Sequence, residues 1–435
     1  MRQLFDVTET SETPALSGIQ RVVRDFSCSL PSAWELVRFD AKTSTFRIVD
    51  SIPDISYRTD SGIRRKLRHL AKEAFLQLAV LADRRHTRDI PGGASSLAKA
   101  FFDRFLADSY IRESSRWRKG PVWTGSNGDQ YFTMEYLTKP QHRAALRQLA
   151  EECGVQASFY VHDIIPLTNP ELFSRRSSIR QRGNFMDYLE LVFTGSEIIA
   201  NSEATRADYV ALRKILSPSS DQKMRVVYPL VSRPTAPDNR LLKARNSWPK
   251  DPGEICILGV GALDARKNFE VAVRALHILL SSGQRARLVI VGGSQTRPTS
   301  SLVRLLAGAT QNQRESFVRL GSVPQDELEA LYRWADVVVV PSKAEGFGLP
   351  VIEAVVRGVP VIASDIRVFR EIAVPKIVTL LPASDPVSWA EAILRVSSDK
   401  TLREGVDKHN AVQKYAYDYS DYMARIMPVT GSSPR

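Results

Sequence analysis

Cysteine is almost missing from this sequence: Cys28, Cys153 and Cys256 are its only three, isolated from one another and odd in number. They build neither a disulfide framework nor a zinc site, which points to a reducing compartment. No apolar run reaches the length of a membrane span, and the opening MRQLFDVTETSETP has no signal-peptide core. The expected setting is the cytoplasm, with peripheral attachment to the inner face of the cytoplasmic membrane as the one route to lipid. Zinc-finger spacing, an RRM signature and basic-aromatic repeats are also lacking, so nucleic acid is not an expected partner. No G-x-G-x-x-G opens a helix after a strand, which argues against a dinucleotide-dependent dehydrogenase. No Asp-x-Asp pair stands in a turn suited to a divalent metal, and neither a metal nor another cofactor is expected.

What is present begins with length. A chain of 435 residues exceeds what one core usually organises, so two domains are expected, and 43% hydrophobic with 25% charged residues is an ordinary globular balance. The formal net charge of +12 suits an anionic partner: a phosphorylated substrate or an anionic membrane surface. Arg64, Arg65, Lys66, Arg68, Lys72, Arg84, Arg85 and Arg88 crowd one window, interleaved with Leu67, Leu70, Phe75, Leu76 and Leu78. That pattern fits a basic amphipathic helix on anionic lipid, or equally a solvated face of a helix that packs on the core.

The second half alternates apolar runs with helical periodicity and short glycine turns. Strands are expected at Ile255–Val260, Arg287–Val291, Phe317–Leu320, Asp336–Val340 and Val359–Ala363, with helices between them, which means a doubly wound parallel sheet. In the first half, strands are expected at Glu35–Phe39, Ala157–Val161 and Glu197–Ala200. A linker is expected near 232–253, where Pro, Asn, Asp and Lys concentrate. The segment PSKAEGFGLPVIEAVVRGVPVIASD, residues 341 to 365, follows a buried strand and turns at Gly346 and Gly348 into a helix that Gly358 and Pro360 stop. It places Glu345 at a strand's carboxyl end and Glu353 in the first turns of the next helix. Ligands of open α/β sheets bind on that side, where the backbone N–H groups near Gly348 and Leu349 face an anion.

The motifs GVGALDARKN, LVIVGG and VRLGSVPQDELEALYRWADVVVVPSKAEGFGLPVIEAVVRGVPVIASD stand in an order that resembles retaining glycosyltransferases of the GT4 family. The EGFGLPVIE portion is the most specific. DVTETSETPALSGIQRVVRDF, FYVHDIIPLTNPELF and IIANSEATRADY resemble, more loosely, bacterial polysaccharide mannosyl- and rhamnosyltransferases of the same family. The resemblance implies an α/β, GT-B fold: two Rossmann-like doubly wound parallel-sheet domains facing across a cleft. The expected division is 1–235 for acceptor binding, with a basic helical insertion around 60–118. Residues 236–410 would bind the nucleotide-sugar, and a helix within 411–435 would cross back to the first domain.

By that resemblance Glu345 lies beside the donor sugar, Glu353 holds the ribose hydroxyls, and Lys267 with Arg266 meets the diphosphate. Both carboxylate oxygens of a glutamate can accept from a vicinal diol, so the residue type suits the role. Many relatives carry arginine where Ala262 stands, which leaves the phosphates to Arg266 and Lys267 between them. His162 is placed against the donor sugar, through its ring or its carbonyl, and Gly18 lets the first domain's loop approach phosphate or acceptor. Gly346, Phe347, Gly348 and Leu349 would line the donor, and Val323 the base. The implied donor is GDP-mannose or GDP-rhamnose, with a UDP-hexose as alternative. The implied acceptor is a saccharide or a polyprenyl-diphosphate-linked oligosaccharide of surface polysaccharide. The non-enzyme alternative is an inactive sugar- or lipid-binding module, against which the joint presence of Glu345, Glu353 and Lys267 stands. No nucleophile is evident, which favours front-face displacement with retention.

Overall fold

The structure, a computed structural model, describes residues 1–12, 18–52, 120–173, 175–217, 222–231, 248–292, 298–399 and 419–427. The basic window at 64–88, the expected insertion around 60–118 and most of the expected linker lie outside the described residues. Among the described residues, no helix is long and apolar enough to cross a membrane.

The fold consists of two sheets with separate cores. The second sheet holds β9 (Ile255–Val260), β10 (Ala286–Val291), β11 (Phe317–Leu320), β12 (Val337–Val340), β13 (Val361–Ser364) and β14 (Val378–Leu381). Their order is β11-β10-β9-β12-β13-β14 and every pairing is parallel. Strands of this kind are covered on both faces, which is why β12 is four buried valines in a row. Helix Phe269–Ser281 covers one face with Phe269, Val273 and Leu276 and packs on helix Pro386–Ser398, whose Trp389 is fully buried.

The first sheet runs β4-β3-β2-β1-β5-β6-β7-β8. Its members are β1 (Gln3–Asp6), β2 (Trp34–Asp40), β3 (Thr45–Val49), β4 (Val122–Trp123), β5 (Gln130–Thr133), β6 (Gln156–Val161), β7 (Glu197–Ala200) and β8 (Lys223–Val226). It departs from the all-parallel expectation at one edge, where β2 pairs β3 and β3 pairs β4 antiparallel. The cause is the connection: only residues 41 to 44 separate β2 from β3, too few for a crossover, and Ser44 takes φ +53° to close the turn. The remaining pairings are parallel.

Helix Tyr419–Ile426 follows the second sheet in sequence yet packs in the first. Tyr422, Met423 and Ile426 are buried among Phe5, Val22 and Phe26. The Arg225 guanidinium donates to the Ile426 and Met427 carbonyls at 3.1 and 2.8 Å.

Candidate functional site

In each sheet the strand order reverses at one point, between β9 and β12 in the second and between β1 and β5 in the first. Loops leaving adjacent strands in opposite directions open a crevice there, and that is where the polar residues collect. The turn after β9 is stitched to the loop after β12. Lys343 N donates to the Arg266 carbonyl at 2.8 Å, and Asn268 Nδ2 donates to the carbonyls of Pro341 and Ala383 at 3.1 and 2.8 Å. Arg266 and Lys267 are thereby held over Glu345.

Arg266 Nη1 donates to Glu345 Oε2 at 2.8 Å, Lys267 Nζ donates to Oε1, and Ser342 Oγ donates to Oε1 at 2.6 Å. The Glu345 side chain is only 8% exposed. Burial alone would raise its pKa; the two cations and the bonds from Lys267 and Ser342 outweigh that and bring it to about 2. Burial acts on the Lys267 ammonium in the opposite sense and lowers its pKa, against the pull of Glu345. Burial also works against the Arg266 charge, but Glu345, Asp264 and Asp163 prevail and raise its pKa. At neutral pH Glu345 is therefore an ionised acceptor, committed through both oxygens.

Helix Leu349–Val356 starts at Gly348, whose φ of +100° is open to glycine without strain. Glu353 lies one turn inside and accepts from the Tyr332 hydroxyl at 2.6 Å. Arg357 sits 4.9 Å over the Tyr332 ring, donates to the Glu353 carbonyl at 2.8 Å, and pairs with the buried Glu329 at 2.7 Å. Glu353 is thus fixed in a packed polar network and is 7% exposed. Phe347 is buried against Tyr228, ring centroids 5.4 Å apart, so it serves the core as well as the loop. Val323 is half-buried on the rim of the same core, and Gly18 is the first residue of helix Gly18–Ser27.

The first sheet reaches this loop through His162, which follows β6. A Cβ on Gly346 would sit 1.9 Å from the His162 carbonyl oxygen, so the two loops meet only because residue 346 is glycine. Ser202 Oγ and Thr205 Oγ1, after β7, donate to the Gly346 carbonyl at 2.6 and 3.2 Å. Glu371 accepts from Glu203 N and Ala204 N at 2.8 and 2.9 Å, and Arg367 pairs with Asp208. The His162 ring donates through Nε2 to the Met134 carbonyl at 2.6 Å. Burial lowers its pKa to about 4. At neutral pH the ring is uncharged, so Nδ1 carries a lone pair and accepts hydrogen bonds.

At the reversal in the first sheet, Glu135 accepts from Glu9 N and Thr10 N at 2.7 and 2.6 Å, and Asp6 accepts from Thr8 N at 3.1 Å and from Thr8 Oγ1 at 2.5 Å. Burial, and secondarily the charge of Asp6, raises the Glu135 pKa well above the usual range. Among the described residues no cluster of His, Cys, Asp and Glu could hold a metal ion. The structure thus brings Glu345, Arg266, Lys267, Gly346 and His162 together. Sequence does not single out Ser342, Ser202, Thr205, Glu371 or the Met134 carbonyl: Ser202, Thr205 and Glu371 meet partners more than a hundred residues away, Met134 acts through its backbone, and the one signal for Ser342 is its place three residues before Glu345.

Residues 242–418 match the family model "Glycosyl transferases group 1". A D-inositol 3-phosphate glycosyltransferase of Jonesia denitrificans is 33% identical over 287 residues, which cover 62% of this chain and 65% of the relative. The O-antigen chain mannosyltransferase RfbU of Salmonella typhimurium is 29% identical over 259 residues, covering 59% and 65%. The chain thus spans just under two thirds of each relative's length. Anabaena HepE in its complex with UDP-glucose superposes with a TM-score of 0.59 at 15% identity, covering 98% of both chains. That likeness is one of fold, and the fold is GT-B.

Proposed function

We propose that the protein is a retaining glycosyltransferase that moves a hexose from a nucleoside-diphosphate sugar to a saccharide acceptor. The observation that carries this reading is the buried, ionised Glu345 between Arg266 and Lys267 at the second sheet's reversal point, with His162 of the first sheet across the cleft. Transfer leaves negative charge on the departing diphosphate and positive charge on the sugar ring, and fixed opposite charges stabilise both. Arg266 and Lys267 answer the first, and Glu345 the second. Glu345 is ionised and so cannot serve as a proton donor at neutral pH. With donors on both oxygens it is also a weak nucleophile. This favours displacement on one face of the sugar, the leaving phosphate taking the acceptor's proton.

His162 contributes its neutral ring: with Nε2 committed to Met134, Nδ1 accepts from a sugar hydroxyl. Its carbonyl is packed on Gly346, which favours the ring over the carbonyl as the group that meets the sugar. Glu353, oriented by Tyr332, is assigned to the ribose, and Gly348 and Leu349 N–H groups to the phosphate. Gly18 is assigned to the acceptor side.

A UDP-hexose is the leading donor, supported by the UDP-glucose complex of the structurally similar HepE. GDP-mannose is the second reading, supported by the mannosyltransferase relative. For the acceptor we favour an oligosaccharide on polyprenyl diphosphate, met at an anionic membrane surface through the basic window at 64–88. The test is nucleotide release from UDP-glucose, UDP-galactose, UDP-N-acetylglucosamine, GDP-mannose and GDP-rhamnose, with and without lipid-linked acceptor and in excess EDTA. Acceptor-stimulated release of UDP that survives chelation is expected. No release from any donor would return the chain to a sugar-binding module.

A further inference from the structure

A polar cavity of about 200 Å³ opens at the first sheet, lined not by Glu345 or its partners but by Glu12, Arg38, Asp40, Lys42, Arg47 and Lys139. Its place follows from topology. Glu12 ends the short helix after β1, Arg38 and Asp40 close β2, and Lys139 precedes helix Pro140–Cys153 after β5. Strands β1, β2 and β5 are mutually parallel, so all four residues sit at the sheet's carboxyl edge, the edge that also carries His162. Arg47 comes from β3, directly across from Arg38. The loop from Met134 to Lys139 joins the two places: its first residue holds the His162 ring and its last lines the cavity.

The charges in this cavity do not balance. Four cations face two carboxylates, a surplus of two positive charges. Glu12 is shared by Arg38, at 2.9 Å, and Lys139. Burial would raise the Glu12 pKa, but those two partners outweigh it and hold the carboxyl below its ordinary value, so it stays ionised. Arg47 donates through Nη1 to the Gly120 carbonyl at 3.1 Å, its Nε lies 3.7 Å from Asp40, beyond hydrogen-bond distance, and the Lys42 ammonium has no ion-pair partner among the described residues. The Nε–H groups of Arg38 and Arg47 are both buried without an acceptor. Those two donors are enclosed, but the side chains of Arg38, Arg47, Lys42 and Lys139 line the cavity and carry their charge to it, and the group that fits such a set of donors best is an oxyanion. The cations are also partly shielded: Arg38 is 16% and Arg47 22% exposed, which weakens salt screening of their field.

We infer that this cavity is a binding site for a phosphate-bearing group, the phosphate of the acceptor. The inference rests on the transferase reading for the word acceptor, but not for the binding itself. A phosphate fits the observations better than a neutral saccharide because the unpaired groups are all donors or cations. Its position on the acceptor half, at the same edge as His162, lets a phosphate anchored here hold a saccharide toward the reacting centre.

The test is calorimetric titration of inorganic pyrophosphate into Lys267→Ala protein, which removes one of the two donor-side cations and leaves Arg266 in every sample compared, with and without Lys42→Ala and Arg47→Gln. Pyrophosphate should bind the Lys267→Ala protein, and the added pair should weaken it by about tenfold or more, the loss expected for charge-assisted contacts. Lys42→Ala alone should give part of that loss, and because the Lys42 side chain makes no bond among the described residues, folding is not at stake. UDP affinity of protein with Lys267 intact should not change on Lys42→Ala. Sedimentation with vesicles of phosphatidylglycerol and phosphatidylcholine separates the sources: sedimentation reduced in the same variants assigns the phosphate to a lipid, and unchanged sedimentation assigns it to a saccharide-borne or free phosphate. No binding to the Lys267→Ala protein, or equal binding with and without the added pair, overturns the site. Since no sugar transfer is measured, this result and nucleotide release can fail independently.

Discussion

Gly346→Ala is the sharpest perturbation of the cleft, because the new methyl would stand 1.9 Å from the His162 carbonyl oxygen and 3.0 Å from Asp163 Cβ. Carbon and carbonyl oxygen approach no closer than about 3.3 Å even in weak C–H···O contacts, so the two loops must part by about 1.4 Å. Parting stretches the Ser202 Oγ to Gly346 O bond from 2.6 Å and the Thr205 bond from 3.2 Å beyond useful length. Each is worth about 1 kcal/mol net, so the closed arrangement loses about 2 kcal/mol, a fall of about thirtyfold in its equilibrium constant against the parted one. The expected readout is a comparable drop in kcat/KM for nucleotide release with acceptor. The urea midpoint should stay near wild type, because opening the seam relieves the clash without disturbing either core. Ser202→Ala removes one of the two seam bonds, together with the cap that Ser202 Oγ gives Thr205 N, but keeps the close approach; it should cost about tenfold at most in kcat/KM. If Gly346→Ala retained kcat/KM within about twofold of wild type, the contact between the two halves would not belong to the working site.

Glu345→Gln and Glu353→Gln should differ in kind: the first lowers kcat by at least about tenfold, a loss of about 1.4 kcal/mol at the transition state, and the second mainly raises KM for the donor. Wild-type steady-state parameters in both would remove the site assignment. For His162, burial holds the folded pKa at about 4 against about 6.5 in an unfolded chain. Between those values the unfolded chain takes up a proton that the folded protein does not, so His162 costs stability as the pH falls through this window and costs none above it. The wild-type urea midpoint should therefore decline relative to His162→Gln between about pH 6.5 and pH 4; a constant gap would show a solvated ring.

Legibility from sequence followed burial. Strands β9, β10, β12 and β13 are covered on both faces, and their β-branched runs mark them almost to the residue. Strands β1, β5 and β8 read QLFD, QYFT and KMRV, and no such run marks them. In β1 and β5 the polar residues Asp6, Gln130 and Thr133 are buried, and two of them meet partners distant in sequence: Gln130 accepts from Gln3 Nε2 at 3.0 Å, and Thr133 Oγ1 donates to Asp6 at 3.4 Å. The site shows the same division. Glu345, Arg266 and Lys267 stand in short motifs that also fix their local geometry, whereas the partners of Gly346 come from residues 141 and 144 positions away. A glycine's sequence neighbours carry no sign of what will press against its Cα.

The helix Tyr419–Ile426 has a consequence for the order in which the chain becomes structured during synthesis. Domains usually fold as they emerge, the amino-terminal one first. Here the second sheet and its helices lie within one continuous stretch, from Ile255 to Ser398, and the residues that their core takes from outside it, Ala204, Tyr228, Val231 and Trp248, have all been made before it. The first sheet emerges earlier but has Phe5 and Phe26 awaiting Tyr422 and Ile426, whose rings and side chains arrive only after the whole second sheet has been made. The half begun first is thus completed last. A ribosome that stalls before Tyr419 leaves a finished second half attached to a first half with an open apolar groove, and the consequence of a cut near one end of the chain falls on the core built around the other.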